Sequence, residues 1–152
     1  MTRRAIRMQP RSTHQFRAAL EPRLYRDIEI ASDASLHDLA AAIVGAFGFD
    51  LDHPFGFYSR MRGSYLHSPV KYESWADLPD IESDAGSVLA TGIVEVFPRP
   101  GAKMLFLFDY GDQWMFAVTL RAIDKPDAAA TYPRVVGSEG KAPPQYPTYD
   151  EP

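Results

Sequence analysis

The alternation of apolar and polar side chains near the start of the chain predicts a β-hairpin. Residues 13–20, THQFRAAL, have the composition of a strand, and Pro22 ends this run. Residues 24–30, LYRDIEI, place apolar side chains on one face and polar side chains on the other, apart from Arg26. This is the pattern of a half-buried strand, so the two runs are expected to pair antiparallel.

A helical period follows the hairpin. In residues 35–47 the apolar side chains recur at intervals of three and four, which places them on one face of a helix; they are Leu36, Leu39, Ala40, Ile43, Val44 and Phe47. Ser32, Asp33 and Ser35 are candidate N-caps. Gly48 suits the position just after the helix. We therefore expect a β-β-α opening in which the helix covers one face of the sheet.

The middle of the chain has a weaker pattern. A strand is predicted at 55–60, followed by a turn near Gly63 and a second short strand. Residues 68–92 show no strong period and are expected to be mostly loop. Residues 93–97, IVEVF, fit a strand by β-propensity and a helix by the spacing of their apolar positions. The residues alone leave both structures open for that segment.

A second hairpin is predicted at about 103–123. Residues 103–110 are apolar on both faces, which is typical of a central strand. Residues 113–123 alternate, with four large apolar side chains on the inward face: Trp114, Phe116, Val118 and Leu120. Between the two runs, Gly111-Asp112 is a favourable dipeptide for a two-residue turn. The carboxylates of this segment therefore lie at or next to a turn.

The pattern as a whole predicts an α+β fold. Its sheet is expected to be mixed but mostly antiparallel, with one main helix and the central hairpin. The length of 152 residues suits a single domain, taken as 1–152. That domain would carry a basic N-terminal arm at about 1–12. A Pro-rich C-terminal arm at about 124–152 is expected to run extended over the surface.

Composition excludes several classes of protein. The chain has no cysteine, so disulfide frameworks and zinc–thiolate sites are ruled out. No apolar run reaches the ~18 residues that a membrane-spanning helix needs. The basic N-terminus lacks the apolar stretch of a secretory signal. We therefore expect a cytoplasmic protein with no membrane contact.

Charge is distributed unevenly along the chain. The net charge is −4, but residues 1–26 hold seven arginines and one acid, whereas residues 27–152 have ten more acidic than basic side chains. An arginine-rich arm on an acidic body fits a weak, salt-dependent contact with nucleic acid. The alternative is a solvated tail, or an arm that folds back onto the acidic body. The nucleic-acid hypothesis rests on Arg3, Arg4, Arg7 and Arg11.

Three segments of the chain resemble one known family. SLHDLAAAIVGAFGFDLDHPFGF at 35–57, LFDYGDQW at 107–114 and YPRVVGSEGKAPP at 132–144 are similar to the plasmid pRiA4b ORF-3-like family. Members of this family are encoded on plasmids, in mobile elements and in bacterial chromosomes. The resemblance spans roughly residues 14–146 and implies an α+β fold with a mixed sheet. It favours a short helical turn at 93–97 and implies no particular activity.

The chain departs from this family at positions that would complete a chemical site. The family often has Glu-His after its tryptophan, where this chain has Met115 and Phe116. It often has cysteine after Tyr-Pro-Arg and before Pro-Pro, where this chain has Val135 and Ala142. We therefore do not carry over a metal or acid–base role from those family positions.

Two aspartates and one histidine are candidates for chemistry, each with a structural alternative. Asp109 and Asp112 would bind a cation or move protons as a pair, or else stabilise the turn. His53 would act as a base or as a metal ligand with a nearby aspartate, or else be a structural histidine. Glu139 is a fourth candidate, and its structural alternative is a turn that leads into the proline pair. Together, Asp109, Asp112, His53 and Glu139 would form the site of a metal-dependent hydrolase or nuclease.

Three further residues are candidates for binding. Arg134 is expected to reach across the hairpin and pair with Asp109 or Asp112. Tyr110 and Trp114 are aromatic side chains of the kind that stack on bases or hold a peptide. Two further tyrosines, Tyr146 and Tyr149, lie in the Pro-rich tail, where core packing explains them least.

The preferred interpretation is a small soluble binding or accessory module linked to plasmid or transposon biology. No cofactor and no bound metal are predicted, and a protein partner is compatible with the sequence. The alternative is the hydrolase or nuclease. That enzyme needs its side chains within about 6 Å of one another in an open cleft, whereas the module needs an exposed aromatic or basic patch.

Overall fold

The structure, a computed structural model, describes residues 9–147. In chain order its elements are β1 (Thr13–Glu21), β2 (Leu24–Ala31), α1 (Leu36–Ala46), β3 (Phe55–Tyr58), β4 (Lys71–Glu73), β5 (Gly86–Ser87), α2 (Ile93–Val96), β6 (Lys103–Phe108), β7 (Trp114–Asp124) and β8 (Arg134–Glu139). The eight strands form one sheet in the order β5-β4-β3-β6-β7-β1-β2-β8. Only β4 and β5 pair in parallel among these strands. The predicted α+β class is confirmed.

The β-β-α opening is also confirmed. β1 and β2 pair antiparallel from Thr13 opposite Ala31 to Glu21 opposite Leu24. Helix α1 begins where the Ser35 hydroxyl accepts a hydrogen bond from the Asp38 N–H at 3.1 Å, and the Asp38 carboxylate accepts one from the Ser35 N–H at 3.0 Å. This reciprocal cap satisfies two N–H groups that the first helical turn leaves unpaired.

The main hydrophobic core lies between α1 and one face of the sheet. The helix contributes its predicted apolar face, of which Leu39 and Ile43 are fully buried. The sheet contributes Phe16, Phe106 and Phe116, all with no exposed surface. Burial of each such side chain stabilises the fold by roughly 1.5–3 kcal/mol. None of the helices in residues 9–147 is long and apolar enough to cross a membrane.

The central hairpin forms as predicted, but its turn is longer. β6 and β7 pair from Lys103 opposite Thr119 to Phe108 opposite Trp114, so residues 109–113 form the connection. The predicted two-residue turn at Gly111-Asp112 is therefore wrong. Asp109 at φ 65° and Gln113 at φ 54° adopt left-handed backbone conformations that reverse the chain more gradually.

Three short segments differ from the sequence prediction. The strand expected at 55–60 ends at Tyr58, and the second strand expected after Gly63 is a single 3-10 turn at Tyr65–His67. The segment 68–92 is mostly loop, as expected, but contains the short strands β4 and β5. The helical turn that the family resemblance favoured forms as α2. Two- and three-residue strands are too short to produce a readable period.

The segment after β7 includes a strand that the sequence did not predict. β8 pairs antiparallel with β2 and forms one edge of the sheet. Before it, the peptide bond between Tyr132 and Pro133 is cis. Part of the segment expected to be an extended arm is therefore integrated in the sheet.

A cluster of polar and aromatic side chains lies on the sheet face opposite α1. The Tyr58 hydroxyl donates to Oε2 of Glu73 at 2.7 Å and lies 2.6 Å from the Tyr110 hydroxyl. The Ser83 hydroxyl donates to Oε1 of Glu73 at 3.2 Å. A Cβ on Gly56 would lie 2.7 Å from both tyrosine hydroxyls, so only glycine leaves room for this pair over β3.

Candidate functional site

The pairing of β3 with β6 brings His53 and Asp109 to the same end of the sheet. Phe55, which opens β3, lies opposite Phe108, which ends β6. The Asp109 N–H continues the ladder by donating to the carbonyl of Pro54 at 3.0 Å. His53 and Asp109 thus lie just beyond the paired residues, where neither side chain is constrained by the sheet itself.

The His53 ring is surrounded by acidic and aromatic groups. Its Nδ1 lies 2.7 Å from Oδ1 of Asp52 and 3.2 Å from the Tyr146 hydroxyl. Its Nε2 lies 3.6 Å from Oδ2 of Asp109. The ring also makes an edge-to-face contact with Phe108, with centroids 6.0 Å apart. Both ring nitrogens therefore face protein groups.

Asp109 supports the turn with one carboxylate oxygen and faces His53 with the other. Its Oδ1 accepts hydrogen bonds from the N–H groups of Gly111 at 3.0 Å and Asp112 at 3.3 Å. This is the local pattern by which aspartate stabilises a turn and tolerates a left-handed backbone. Only 5% of Asp109 is exposed, so its carboxylate is a buried part of the loop.

The C-terminal segment completes the group of contacts, which we call the His53 cluster: Asp52, His53, Asp109, Gln145 and Tyr146. Oε1 of Gln145 accepts from the Asp50 N–H at 2.8 Å, and its Nε2 donates to the Asp50 carbonyl at 3.1 Å. The Tyr146 hydroxyl donates to Oδ2 of Asp52 at 2.7 Å. The His53 cluster therefore joins three segments, at 50–54, 109–113 and 145–146.

The charges in the His53 cluster favour a protonated imidazole. The hydrogen bond to Asp52 is the main cause that raises the pKa of His53 above 6.5, and the nearby Asp109 and Asp112 raise it further. The hydrogen bond from Tyr146, followed by that from His53, lowers the pKa of Asp52 below 3.8. Donation to Asp52 raises the pKa of Tyr146 to about 12. The carboxylate of Asp52 therefore accepts hydrogen bonds from one charged group, His53, and from the neutral hydroxyl of Tyr146.

This protonation pattern predicts a defined pH dependence of stability. Because folding raises the pKa of His53, its stabilising effect is complete below the unfolded value of 6.5 and is lost as the pH rises through the higher folded value. Asp52 has the opposite sign: its effect is present above 3.8 and is lost as the pH falls through the lower folded value. We expect the difference in melting temperature between wild type and His53→Gln to be largest between about pH 4 and 6.5 and to shrink at higher pH.

Thermal unfolding of both proteins across this range measures the effect. His67→Gln is the matched control, because His67 is exposed and its side chain makes no hydrogen bond within the described residues. A difference between wild type and His53→Gln that stays constant with pH would contradict the ion-pair assignment.

The four residues of the hydrolase hypothesis do not come together. His53 and Asp109 are neighbours, but Asp112 is exposed and Glu139 ends β8 at the edge of the sheet. There the Glu139 carbonyl accepts a hydrogen bond from Arg26 at 3.1 Å. Within residues 9–147, no group of three or more histidine or acidic side chains is arranged to hold a metal ion.

The predicted pairing of Arg134 with the hairpin carboxylates is wrong. Its Nη2 donates to Oε1 of Glu29 at 3.2 Å, and its Nη1 lies 4.0 Å from Asp127. The reason is that the Tyr-Pro-Arg segment does not cross the hairpin but leads into β8, which pairs with β2 and places Arg134 opposite Glu29.

The aromatic and basic candidates are distributed over several places. Tyr110 is half-buried on the Tyr58 side of the sheet, and Trp114 packs on Phe49 with ring centroids 4.9 Å apart. Among the arginines of the nucleic-acid hypothesis, Arg11 is exposed. The others, Arg3, Arg4 and Arg7, lie outside the described residues.

Sequence reasoning singled out His53 and Asp109 but did not find Gln145. Tyr146 and Tyr149 are the aromatic residues that core packing explains least. Tyr146 is half exposed in the structure, and Tyr149 lies outside the described residues. Gln145 lies 95 residues from Asp50. The Gln145 amide bonds the backbone N–H and carbonyl of Asp50, as a neighbouring strand would. A contact between residues so far apart in the chain leaves no local pattern in the sequence.

By fold and site, this is a small α+β protein whose single sheet carries a histidine–carboxylate–tyrosine cluster at one end. The family model described as plasmid pRiA4b ORF-3-like protein matches residues 15–146, and the chain belongs to that family. A crystal structure of a protein of unknown function, MM3350 from Methanosarcina mazei Go1, is similar in fold. The two share 18% sequence identity with a TM-score of 0.70, over 90% of this chain and 74% of that chain. No curated protein matches the chain.

Proposed function

We propose that this protein is a small non-catalytic binding or accessory module, with the whole chain as one domain, that acts in the cytoplasm and is linked to plasmid or transposon biology. The observation that carries this proposal is that the reactive groups of the His53 cluster contact one another. A general base needs a ring nitrogen that faces a water or a nucleophile, yet both nitrogens of His53 face Asp52, Tyr146 or Asp109.

The metal-dependent alternative has one pair of groups in its favour. Nε2 of His53 and Oδ2 of Asp109 are 3.6 Å apart, which is close to the separation of two ligands on one cation. A hydrolytic site needs further ligands, but Asp112 contacts Asp109 through its backbone N–H and not through its carboxylate, and Glu139 lies on β8 at the edge of the sheet. The binding interpretation therefore has more support than the enzyme.

Calorimetric titration with Mg²⁺, Mn²⁺ and Zn²⁺ distinguishes the two functions. We expect no saturable binding that depends on Asp109, because His53 and Asp109 offer a cation only one ring nitrogen and one carboxylate oxygen, Oδ2. Asp109→Asn is the useful comparison, since asparagine can keep the turn while losing the charge. If wild type binds one of these ions and Asp109→Asn does not, the hydrolase or nuclease becomes the better proposal.

The basic residues of the N-terminal segment support a nucleic-acid contact. Several arginines of the sheet interact within the protein: Arg17 makes a bidentate pair with Asp27 at 2.8 and 3.0 Å, and Arg26 donates to backbone carbonyls. Arg11 is exposed, and Arg3, Arg4 and Arg7 add three more positive charges nearby in sequence. Such a segment would attract phosphate groups in a salt-sensitive manner.

We expect weak binding to generic DNA or RNA at low salt that is lost at physiological salt. Replacing Arg3, Arg4, Arg7 and Arg11 by glutamine should weaken this binding by about tenfold or more at low salt, since each lost phosphate contact removes counterion release. Fluorescence anisotropy with a labelled duplex and a labelled single strand measures it.

The matched control replaces four exposed arginines elsewhere on the protein, Arg60, Arg62, Arg99 and Arg121. It changes the net charge by the same amount and should have a smaller effect. Equal losses in both variants would mean that net charge alone drives the contact. Absence of binding at low salt would remove the nucleic-acid part of the proposal.

A further inference from the structure

We draw no further inference here: the strongest candidate, the apolar groove beside α1 that is lined by Ala41, Ala42 and Pro133, carries none because nothing within residues 9–147 shows what covers it.

Discussion

Replacing Asp109 by alanine is expected to lower the free energy of unfolding by about 2 to 3 kcal/mol. Two N–H groups of the 109–113 turn lose their acceptor, and His53 loses the carboxylate facing Nε2. Alanine also adopts the left-handed backbone at φ 65° less readily than aspartate does. Denaturant-induced unfolding of wild type and variant measures the difference.

Asp109→Asn separates the turn from the charge. Asparagine retains an acceptor oxygen and tolerates the left-handed conformation, so we expect it to keep more than half of the stability that alanine loses. If asparagine and alanine are equally destabilising, the interaction with His53 matters more than the turn. An alanine variant as stable as wild type would contradict both roles.

Tyr58→Phe is expected to cost a similar amount, about 3 kcal/mol. Tyr58 has no exposed surface and Glu73 is only 6% exposed, so the lost donor at 2.7 Å cannot easily be replaced by water. Loss of the hydroxyl also removes the contact with Tyr110. Tyr72→Phe is a suitable control, because the Tyr72 hydroxyl makes no hydrogen bond within residues 9–147.

A double-mutant cycle identifies Glu73 as the partner responsible for this cost. Tyr58→Phe combined with Glu73→Gln should destabilise the protein less than the two single changes added together, since both remove one shared interaction. Additive effects would show that the cost of Tyr58→Phe comes from another contact of the hydroxyl, such as the one with Tyr110, rather than from Glu73.

The parts of the fold with strong local patterns were predictable from the sequence. The period of two in 24–30 and the period of three to four in 35–47 depend only on neighbouring residues, and both elements formed as expected. The apolar run at 103–110 likewise identified a central strand, β6. The turn after β6 differs from the prediction. Gly-Asp favours a two-residue turn, but the pairing of β6 with β7 ends at Phe108, and Asp109 begins a longer connection.

The features that failed or were missed depend on contacts between distant segments. A Pro-rich stretch gave no indication that residues 134–139 would pair with β2, and so Arg134 was assigned to the wrong carboxylate. His53 and Asp109 were recognised separately, but their proximity follows from the register of β3 and β6. Gln145 was missed because its partner Asp50 is 95 residues away.

β1 lies inside the sheet, with a neighbouring strand on each side, and this position affects how the chain folds. β1 pairs with β2 on one side, but its other neighbour is β7, with Thr13 opposite Asp124. At a synthesis rate of about 5 to 20 residues per second, roughly 6 to 20 seconds pass between the appearance of these two residues. During that interval both outer edges of the first hairpin are open. Folding of the sheet must therefore wait for the second half of the chain, and unfinished chains present strand edges that are prone to aggregate.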